Sequence, residues 1–253
     1  MLTLQEILLY NNIKFKNGKI IIPDWVKHIK LDVGLSFDAP HSQNWIDNDD
    51  TLLVFGFEPN KVWFKYLTSP DDEKDRTFSD YHAYTKPLEY SNINNKAFII
   101  PIALSDVEFP TIMKLYVPEL SAGCGSLLKP KTFEKLGNII EEYDVQVFSL
   151  KDFFKLLPLD KIDYIDYIKI DVQGKDINVL RSAGDFLREK VVYVTAEPED
   201  YYYLDSEHNS QTEIINYMTS IGFIHVDHPN TSDPTFLNSK FKDKSNIYIW
   251  QKY

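Results

Sequence analysis

The stretch HIKLDVGLSFDAPHSQNW, residues 28–45, begins as a short apolar run and ends in a turn of unusual composition. Its first part, HIKLDVGL (28–35), is typical of a strand buried on both faces, as found in parallel sheets covered by helices. In an open parallel sheet, ligands bind beyond the carboxyl ends of the strands, where the strand order reverses. The turn that follows residue 32 is therefore the first place to expect a binding site.

Four further runs of the same kind follow along the chain. They are LLVFGFEP (52–59), AFIIPIAL (97–104), YIKIDV (167–172) and VVYVTAE (191–197). Helical patterns separate several of these runs, for example the one with Ile177 and Leu180 that follows YIKIDV. This alternation of strands and helices predicts an α/β fold with a mostly parallel sheet.

The two ends of the chain depart from this alternation. Residues 1–27 predict a helix and a hairpin, because an Asn-Gly turn lies between two alternating runs. At the other end, strands predicted at 223–228 and 246–253, joined by a polar loop, favour an antiparallel final pair. We therefore expect an N-terminal extension over residues 1–27 and one α/β domain over residues 28–253.

Composition and charge limit the classes of function. The 253 residues are 43% hydrophobic and 26% charged, which is ordinary for a globular protein. A net charge of −11 disfavours nucleic acid and anionic membranes as partners. The chain shows neither a membrane-spanning run nor a signal-peptide pattern, and Cys124 is its one cysteine. We expect a cytoplasmic protein that acts on a small molecule or a sugar, and the oligomeric state stays open.

The turn after residue 32 lacks the glycines of a dinucleotide site. Such a site uses G-x-G-x-x-G to bring the backbone close to a pyrophosphate, whereas here Phe37 and Pro40 follow Gly34. S-adenosylmethionine has no phosphate; it offers an ammonium that one acid can receive and a ribose diol that another can hold. Asp32 and Glu58 end neighbouring strands and together favour this ligand. Taken singly, Asp32 could equally cap the next helix, and Glu58 could simply end a strand.

Five motifs follow one another in a characteristic order. They are KLDVG (30–34), VFGFEPN (54–60), IIPIALSD (99–106), YIKIDVQG (167–174) and VVYVTAEPE (191–199). From about Lys30 to the C-terminus the chain resembles FkbM-type methyltransferases, which are class I S-adenosylmethionine-dependent enzymes that methylate hydroxyl groups, often on sugars. The resemblance implies a Rossmann-like sheet of seven mostly parallel strands with an antiparallel C-terminal strand. It also implies cofactor contacts from Asp32, Gly34, Glu58, Ser105 and Asp106.

Two parts of the chain depart from the family's pattern. The family usually reads Asp-x-Gly-Ala-Asn-x-Gly at the first turn, whereas Leu-Ser-Phe-Asp-Ala-Pro-His-Ser follows Gly34 here. Two alternatives stay open at this turn: Ser36, His41 or Ser42 replaces contacts that the backbone normally makes, or the pocket is altered. Gln173 stands where the family typically has Glu.

Methyl transfer to an alcohol requires an aligned acceptor and a group that takes the acceptor's proton. Asp171 ends the fourth strand and is the first candidate for base or hydroxyl anchor, with a helix N-cap as the alternative. Glu197 could orient the acceptor, hold a divalent cation with Asp171, or be a hydrogen-bonded strand-end acid. His41 titrates near neutrality and is a further candidate base. Lys169, inside a buried strand, is predicted to be a paired structural lysine.

The sequence therefore predicts an S-adenosylmethionine-dependent O-methyltransferase acting on a hydroxyl of a small molecule or sugar, with no metal ligands assigned. Two alternatives stay open. One is a binding protein that keeps the fold without turnover, which the altered first turn suggests. The other is a nucleotide-sugar enzyme that uses Asp47 and Asp49 in IDNDDT (46–51), although a solvated turn is the more ordinary interpretation of those acids.

Overall fold

A computed structural model describes residues 1–71, 73, 86–119, 123–131, 136–227 and 233–244. Its strands in chain order are β1 (Phe15–Lys16), β2 (Lys19–Ile20), β3 (His28–Val33), β4 (Leu52–Phe57), β5 (Ala97–Ile100), β6 (Ala103–Leu104), β7 (Thr111–Pro118), β8 (Ile139–Phe148), β9 (Ile165–Ile170), β10 (Val191–Ala196), β11 (Phe223–Val226) and β12 (Thr235–Asn238). Its α-helices are α1 (Leu4–Tyr10), α2 (Pro40–Asn48), α3 (Lys61–Thr68), α4 (Leu150–Leu156), α5 (Asp176–Ser182), α6 (Asp185–Lys190) and α7 (Gln211–Ser220). Within these described ranges, no helix has both the length and the apolar character needed to cross a membrane.

Seven of the strands form one large sheet in the order β11-β12-β10-β9-β3-β4-β5. The strands from β10 to β5 are parallel, which confirms the prediction of an α/β fold with a large, mostly parallel sheet. The chain runs outward from β3 through β4 to β5 and later from β9 to β10 on the other side. The strand order thus reverses between β3 and β9, which is where open α/β sheets bind their ligands.

The apolar runs form strands because the sheet is covered on both faces. Along β4, Leu53, Phe55 and Phe57 belong to one core cluster. Leu52 and Val54, which alternate with them, belong to a second cluster. Alternate side chains of a strand point to opposite faces, so β4 fills two apolar layers and has no exposed residue. This explains why its sequence is continuously apolar rather than alternating.

The C-terminal hairpin contains the predicted antiparallel pair, but with a different second strand. β11 pairs antiparallel with β12, and β12 lies antiparallel between β11 and β10. β12 (Thr235–Asn238) falls in the stretch predicted to be a polar loop, and that part of the prediction is wrong. Its four residues TFLN carry two apolar side chains among polar neighbours, too few for a periodic signal. The predicted strand at 246–253 lies outside the described residues.

A second sheet, in the order β6-β8-β7, branches from the chain after β5. β6 pairs parallel with β8, and β7 pairs antiparallel with β8 along most of its length. Residues 123–131, here called the strap, follow β7 and return toward the large sheet, where Pro130 forms a bridge with Tyr203. The second sheet therefore carries the strap to the carboxyl end of the parallel strands.

The N-terminal segment packs on the same core as the large sheet. A capping box between Thr3 and Glu6 starts α1, and β1 and β2 form the predicted hairpin. Leu4, Ile7 and Leu8 of α1 join the core cluster that contains the inner residues of α4. Burial of these side chains, rather than the short hairpin alone, stabilises the segment.

Candidate functional site

A cavity of about 530 Å³ lies at the carboxyl ends of β3, β4 and β9. This volume is within the roughly 300–1,000 Å³ of typical small-molecule pockets. Phe37, Trp63, Ile102 and Leu104 contribute apolar walls, and residues 123–125 and Leu127 of the strap contribute another. Phe37 packs its ring against Trp63 at a centroid distance of 5.4 Å, so it lines the cavity and leaves the space open.

The first turn is shaped by a close backbone contact. Gly34 has φ +84°, and a Cβ there would lie 1.8 Å from the carbonyl oxygen of Asp171. Only glycine permits that approach without displacing the chain. Ser36, at φ 59°, turns its backbone N–H toward Glu58 Oε2 at 2.9 Å. The turn thus joins the ends of β3, β4 and β9 around the cavity.

Glu58 ends β4 and lines the cavity with a buried carboxyl group. Its Oε1 accepts a hydrogen bond from the Asn60 N–H at 2.8 Å, and its Oε2 accepts the one from Ser36. Burial raises the pKa of Glu58 to about 8, against the lowering effect of these two donors. Each carboxylate oxygen keeps a further lone pair that can accept a hydrogen bond from a ligand hydroxyl. The two oxygens together can therefore accept from both hydroxyls of a diol.

Lys169 lies between two carboxylates behind the first turn. Its Nζ is 3.2 Å from Asp171 Oδ2 and 3.8 Å from Asp32 Oδ1, and it donates to the Gly34 carbonyl at 3.2 Å. Burial lowers the pKa of Lys169, but the two carboxylates outweigh it and raise the pKa above its usual value. The prediction of a paired lysine within the sheet is confirmed.

Asp32 is buried beside the residues that line the cavity and is not itself among the described lining residues. Its Oδ2 accepts a hydrogen bond from Ser42 Oγ at 2.6 Å. Its Oδ1 has no hydrogen-bond partner in the part of the chain that the structure describes. Lys169 Nζ, 3.8 Å from this oxygen, compensates its charge but is too distant for a hydrogen bond, so a water that donates to it would be stabilised there.

Asp171 and Glu197 form a hydrogen-bonded pair of acids. Burial raises the pKa of Asp171, but Lys169 and hydrogen bonds from Glu197 and Gln173 pull it well below its usual range. Burial, and then the Asp171 charge, raise the pKa of Glu197 far above its usual range. These opposite directions indicate that the pair shares one proton at neutral pH and that Asp171 is its more acidic member. Asp171 lines the cavity, whereas Glu197 adjoins it through Gln173.

His41 lies in the first turn of α2 and lines the same cavity. Burial, and next the positive charge of Lys169, lower its pKa from the usual value. The imidazole is consequently neutral at pH 7 and can accept a proton. His41, Asp171 and Glu58, chosen from different parts of the sequence, thus share one cavity.

Ser105 and Asp106, which the resemblance places near the cofactor, are not among the described residues that line the cavity. Asp106 Oδ1 instead accepts a hydrogen bond from Asn178 Nδ2 at 2.8 Å. The preceding residues, Ile102 to Leu104, do line it. The chain thus passes the cavity just before it reaches the two predicted residues.

The sequence predicts no role for several residues that the structure places at or beside the cavity. Trp63 could have been suspected, because it follows the N-cap Asn60 by three positions and faces the sheet from the first turn of α3. Tyr203 lies in a row of three tyrosines, and only the structure shows that it is the buried one. Gln173 connects these elements, as its side chain bonds Asp171 at 2.7 Å and Tyr203 at 3.0 Å.

The two acids proposed for a nucleotide-sugar site lie at the opposite end of the sheet, before β4 begins. Asp47 is ion-paired with Lys86 at 3.1 Å, and Asp49 accepts a hydrogen bond from the Thr51 N–H at 2.8 Å. Neither lines the cavity. Within the described ranges no group of three or more His, Cys, Asp or Glu side chains is arranged to hold a metal ion.

The donor set at the cavity fits S-adenosylmethionine in two respects. Glu58 offers a buried carboxyl group to a ribose diol, and the Asp32 carboxylate, ion-paired with Lys169, places a negative charge behind the cavity lining. Apolar walls from Phe37 and Trp63 suit a purine ring.

Comparison with known proteins agrees with this geometry. A family model described as the methyltransferase FkbM domain matches residues 32–224. No curated protein and no solved structure matches the chain. The matched residues include the cavity-lining turn, Glu58, His41 and the Asp171–Glu197 pair.

Proposed function

Because this chain belongs to the FkbM methyltransferase family, we propose that it is an S-adenosylmethionine-dependent O-methyltransferase acting on a hydroxyl of a small molecule or sugar. The observation that carries the proposal is the Glu58 carboxyl group, buried at the end of β4 and open to a cavity of about 530 Å³ at the reversal of strand order. A carboxylate in this position can accept both hydroxyls of a ribose at once.

Residues on two sides of the cavity would hold the cofactor. Glu58 would bind the ribose, and the Asp32 carboxylate, which is ion-paired with Lys169 behind the lining residues, would attract the ammonium of the methionine end through its charge, with a water between them. Phe37 and Trp63 would cover the adenine ring. When bound, S-adenosylmethionine supplies a methyl group on a sulfonium. An alcohol oxygen can attack this methyl group and displace the sulfur, which leaves as a neutral thioether.

The acceptor hydroxyl needs an anchor and a base, and the structure favours different residues for the two roles. Asp171, kept ionised beside Lys169, is a weak base but a strong hydrogen-bond acceptor, so it orients the hydroxyl. His41 is neutral at pH 7 and lines the same cavity, so it takes the proton. Glu197 stays protonated and donates a hydrogen bond to the Asp171 carboxylate.

Calorimetry on the native chain tests the cofactor half of this proposal. We expect S-adenosylmethionine and S-adenosylhomocysteine to bind with micromolar affinity, and Glu58→Ala to weaken both by at least about 100-fold, the loss of two charge-assisted hydrogen bonds. Glu108→Ala removes an exposed glutamate and serves as the matched control. Absence of binding to either compound contradicts the proposal.

Transfer of a radiolabelled methyl group to a panel of sugars and hydroxylated small molecules tests the reaction. Product from a hydroxylated acceptor supports the O-methyltransferase. Cofactor binding without transfer to any acceptor favours a binding protein that keeps the fold. Manganese-dependent binding of a nucleotide-sugar, without S-adenosylmethionine binding, favours the nucleotide-sugar enzyme.

A further inference from the structure

We propose that Gln173 is a positioning residue, which fixes the Asp171 carboxylate toward the cavity and is itself fixed by the hydroxyl of Tyr203. The inference rests on the proposed function in one respect, namely that Asp171 receives the acceptor hydroxyl. The contacts that support it form a continuous path from the strap to Asp171.

The amide nitrogen of Gln173 serves both members of the acid pair. Nε2 lies 2.7 Å from Asp171 Oδ1 and 3.2 Å from Glu197 Oε2. Lys169 contacts the other oxygen of Asp171, Oδ2, at 3.2 Å. Gln173 on one oxygen and Lys169 on the other, together with the hydrogen bond from Glu197, determine the rotation of the carboxylate, which the ion pair with Lys169 alone would leave free.

The amide oxygen of Gln173 faces the opposite way, toward Tyr203. The Tyr203 hydroxyl lies 3.0 Å from Gln173 Oε1 and 3.0 Å from the carbonyl oxygen of Cys124. An ionised carboxylate accepts hydrogen bonds and cannot donate them, so the NH₂ end of the amide must face Asp171. Tyr203 then holds the oxygen end, and its side chain is 1% exposed.

The backbone of Gln173 is held in a conformation that a glutamine rarely adopts. Its φ is +57°, and the following Gly174 has φ +95°. A non-glycine residue in the left-handed region is strained, and surrounding contacts must offset that strain. Ser126 of the strap supplies one by donating from Oγ to the Gln173 carbonyl at 2.7 Å. The strap thus fixes both the main chain of Gln173 and, through Tyr203 and Cys124, its side chain.

Glutamine meets both hydrogen-bonding needs of this position in this chain. It combines a donor for the acid pair with an acceptor for the tyrosine hydroxyl. Leucine has neither group, and glutamate would add a third carboxyl group beside Asp171 and Glu197. Besides Glu197, the charged or titratable groups of the described residues that interact with Asp171 are Lys169, Asp176, Glu58, His41 and the Tyr203 hydroxyl.

Carbon-13 NMR of the ligand-free chain, with its aspartates labelled at Cγ, tests the inference. The Asp171 resonance is identified by its loss in Asp171→Asn and is followed from pH 8 to pH 3. In the native chain we expect the chemical shift of a carboxylate throughout this range. In Gln173→Leu the titration midpoint should rise into the range, at least a tenfold gain in proton affinity, and in Tyr203→Phe it should rise by less.

Gln43→Leu is the control for general loss of stability, because Gln43 is buried and hydrogen-bonded to Asp47 and Asn92, away from the cavity. It should lower the melting temperature and leave the Asp171 resonance unchanged. An unchanged Asp171 resonance in Gln173→Leu overturns the inference, whatever happens to the melting temperature.

Two further features keep the test decisive. Should Gln173→Leu not fold, Gln173→Glu replaces it, because a third carboxyl group must also raise the Asp171 midpoint, and no change there overturns the inference equally. The measurement uses no cofactor. Failure to bind S-adenosylmethionine therefore refutes the proposed function without altering this result. An unchanged Asp171 resonance likewise overturns the inference without refuting the proposed function.

Discussion

A Cβ added to Gly34 would lie 1.8 Å from the carbonyl oxygen of Asp171, so the ends of β3 and β9 meet in direct backbone contact. The Asp171 N–H also donates to the Val33 carbonyl at 2.9 Å. These contacts set the position of Asp171 relative to the first turn before any side chain is considered. The glycine of this turn therefore positions the site as well as lining it.

Gly34→Ala should destabilise the chain far more than a glycine replacement with the same backbone angle elsewhere. A methyl group at φ +84° carries about 1–2 kcal/mol of left-handed strain and a further 1–3 kcal/mol from overlap with Asp171. Gly18→Ala is the control, since Gly18 has φ +74° and no atom within 4 Å of an added Cβ. Urea unfolding of both variants measures the difference, and equal losses would contradict the contact.

Lys169→Met should remove the charge that compensates two buried carboxylates. Breaking a buried ion pair from one side costs about 3–5 kcal/mol, or a fall in melting temperature of about 10 °C. Because the folded-state pKa of Asp171 is lowered, its stabilisation is present above the unfolded pKa and is lost as pH falls through the folded one. The loss of unfolding free energy in Lys169→Met, relative to the native chain, should accordingly be largest near pH 7 and become smaller below about pH 4.

Lys96→Met is the comparison for an exposed pair, because Asp50, its partner, is 97% exposed. That variant should lose less than about 1 kcal/mol. Calorimetric melting of both variants between pH 3 and pH 7 checks the prediction. A Lys169→Met deficit that stays constant over this range would show that packing, rather than charge, causes the loss.

The parallel sheet was predictable because long apolar runs leave few alternatives. Six continuous buried residues in β4 cannot face water on either side, so helices must cover both faces. β12 was not predictable, because its four residues are strand-forming only through pairing with β10 and β11. Pairing of this kind depends on neighbours that are distant in sequence.

The candidate site was predictable where it follows directly from strand ends. Glu58 and Asp171 come immediately after buried strands and line the cavity. Ser105 and Asp106 do not line the cavity. The chain leaves the large sheet after β5, and because β6 pairs with β8 the residues that follow β6 lie toward α5. The turn from a parallel strand into a second sheet has no signature in the local sequence.

Cofactor affinity should depend on pH through Glu58. The pKa of its carboxyl group is raised to about 8 by burial, whereas the form that accepts two ribose hydroxyls is the carboxylate. Below pH 8, binding must release a proton, so affinity rises with pH and levels off above it. Linkage gives a gain of about tenfold between pH 7 and pH 9.

Calorimetry with S-adenosylhomocysteine across this range, in buffers of different ionisation enthalpy, measures both the affinity and the proton release. Glu58→Gln keeps the size of the side chain without a titrating group, so its weaker binding should be independent of pH. A native affinity that is flat from pH 7 to pH 9 would mean that Glu58 is already ionised, or that it does not contact the ligand.

His41 and Asp171 should separate in the pH profile of methyl transfer, measured with any acceptor that the radiolabel assay identifies. His41 must be neutral to take the proton, and burial lowers its pKa from 6.5, so the native rate should rise with pH to a plateau with a midpoint below 6.5. His41→Gln should lose about 100-fold or more in kcat while keeping its affinity for S-adenosylhomocysteine. The rise of the rate with pH should disappear in the same variant.

Asp171→Asn should also keep cofactor affinity within a few-fold and lose turnover. Any residual rate of this variant should still rise with pH as in the native chain, because His41, the base, is intact. If the rise of the rate with pH is lost in Asp171→Asn and survives in His41→Gln, the two roles are reversed and Asp171 is the base.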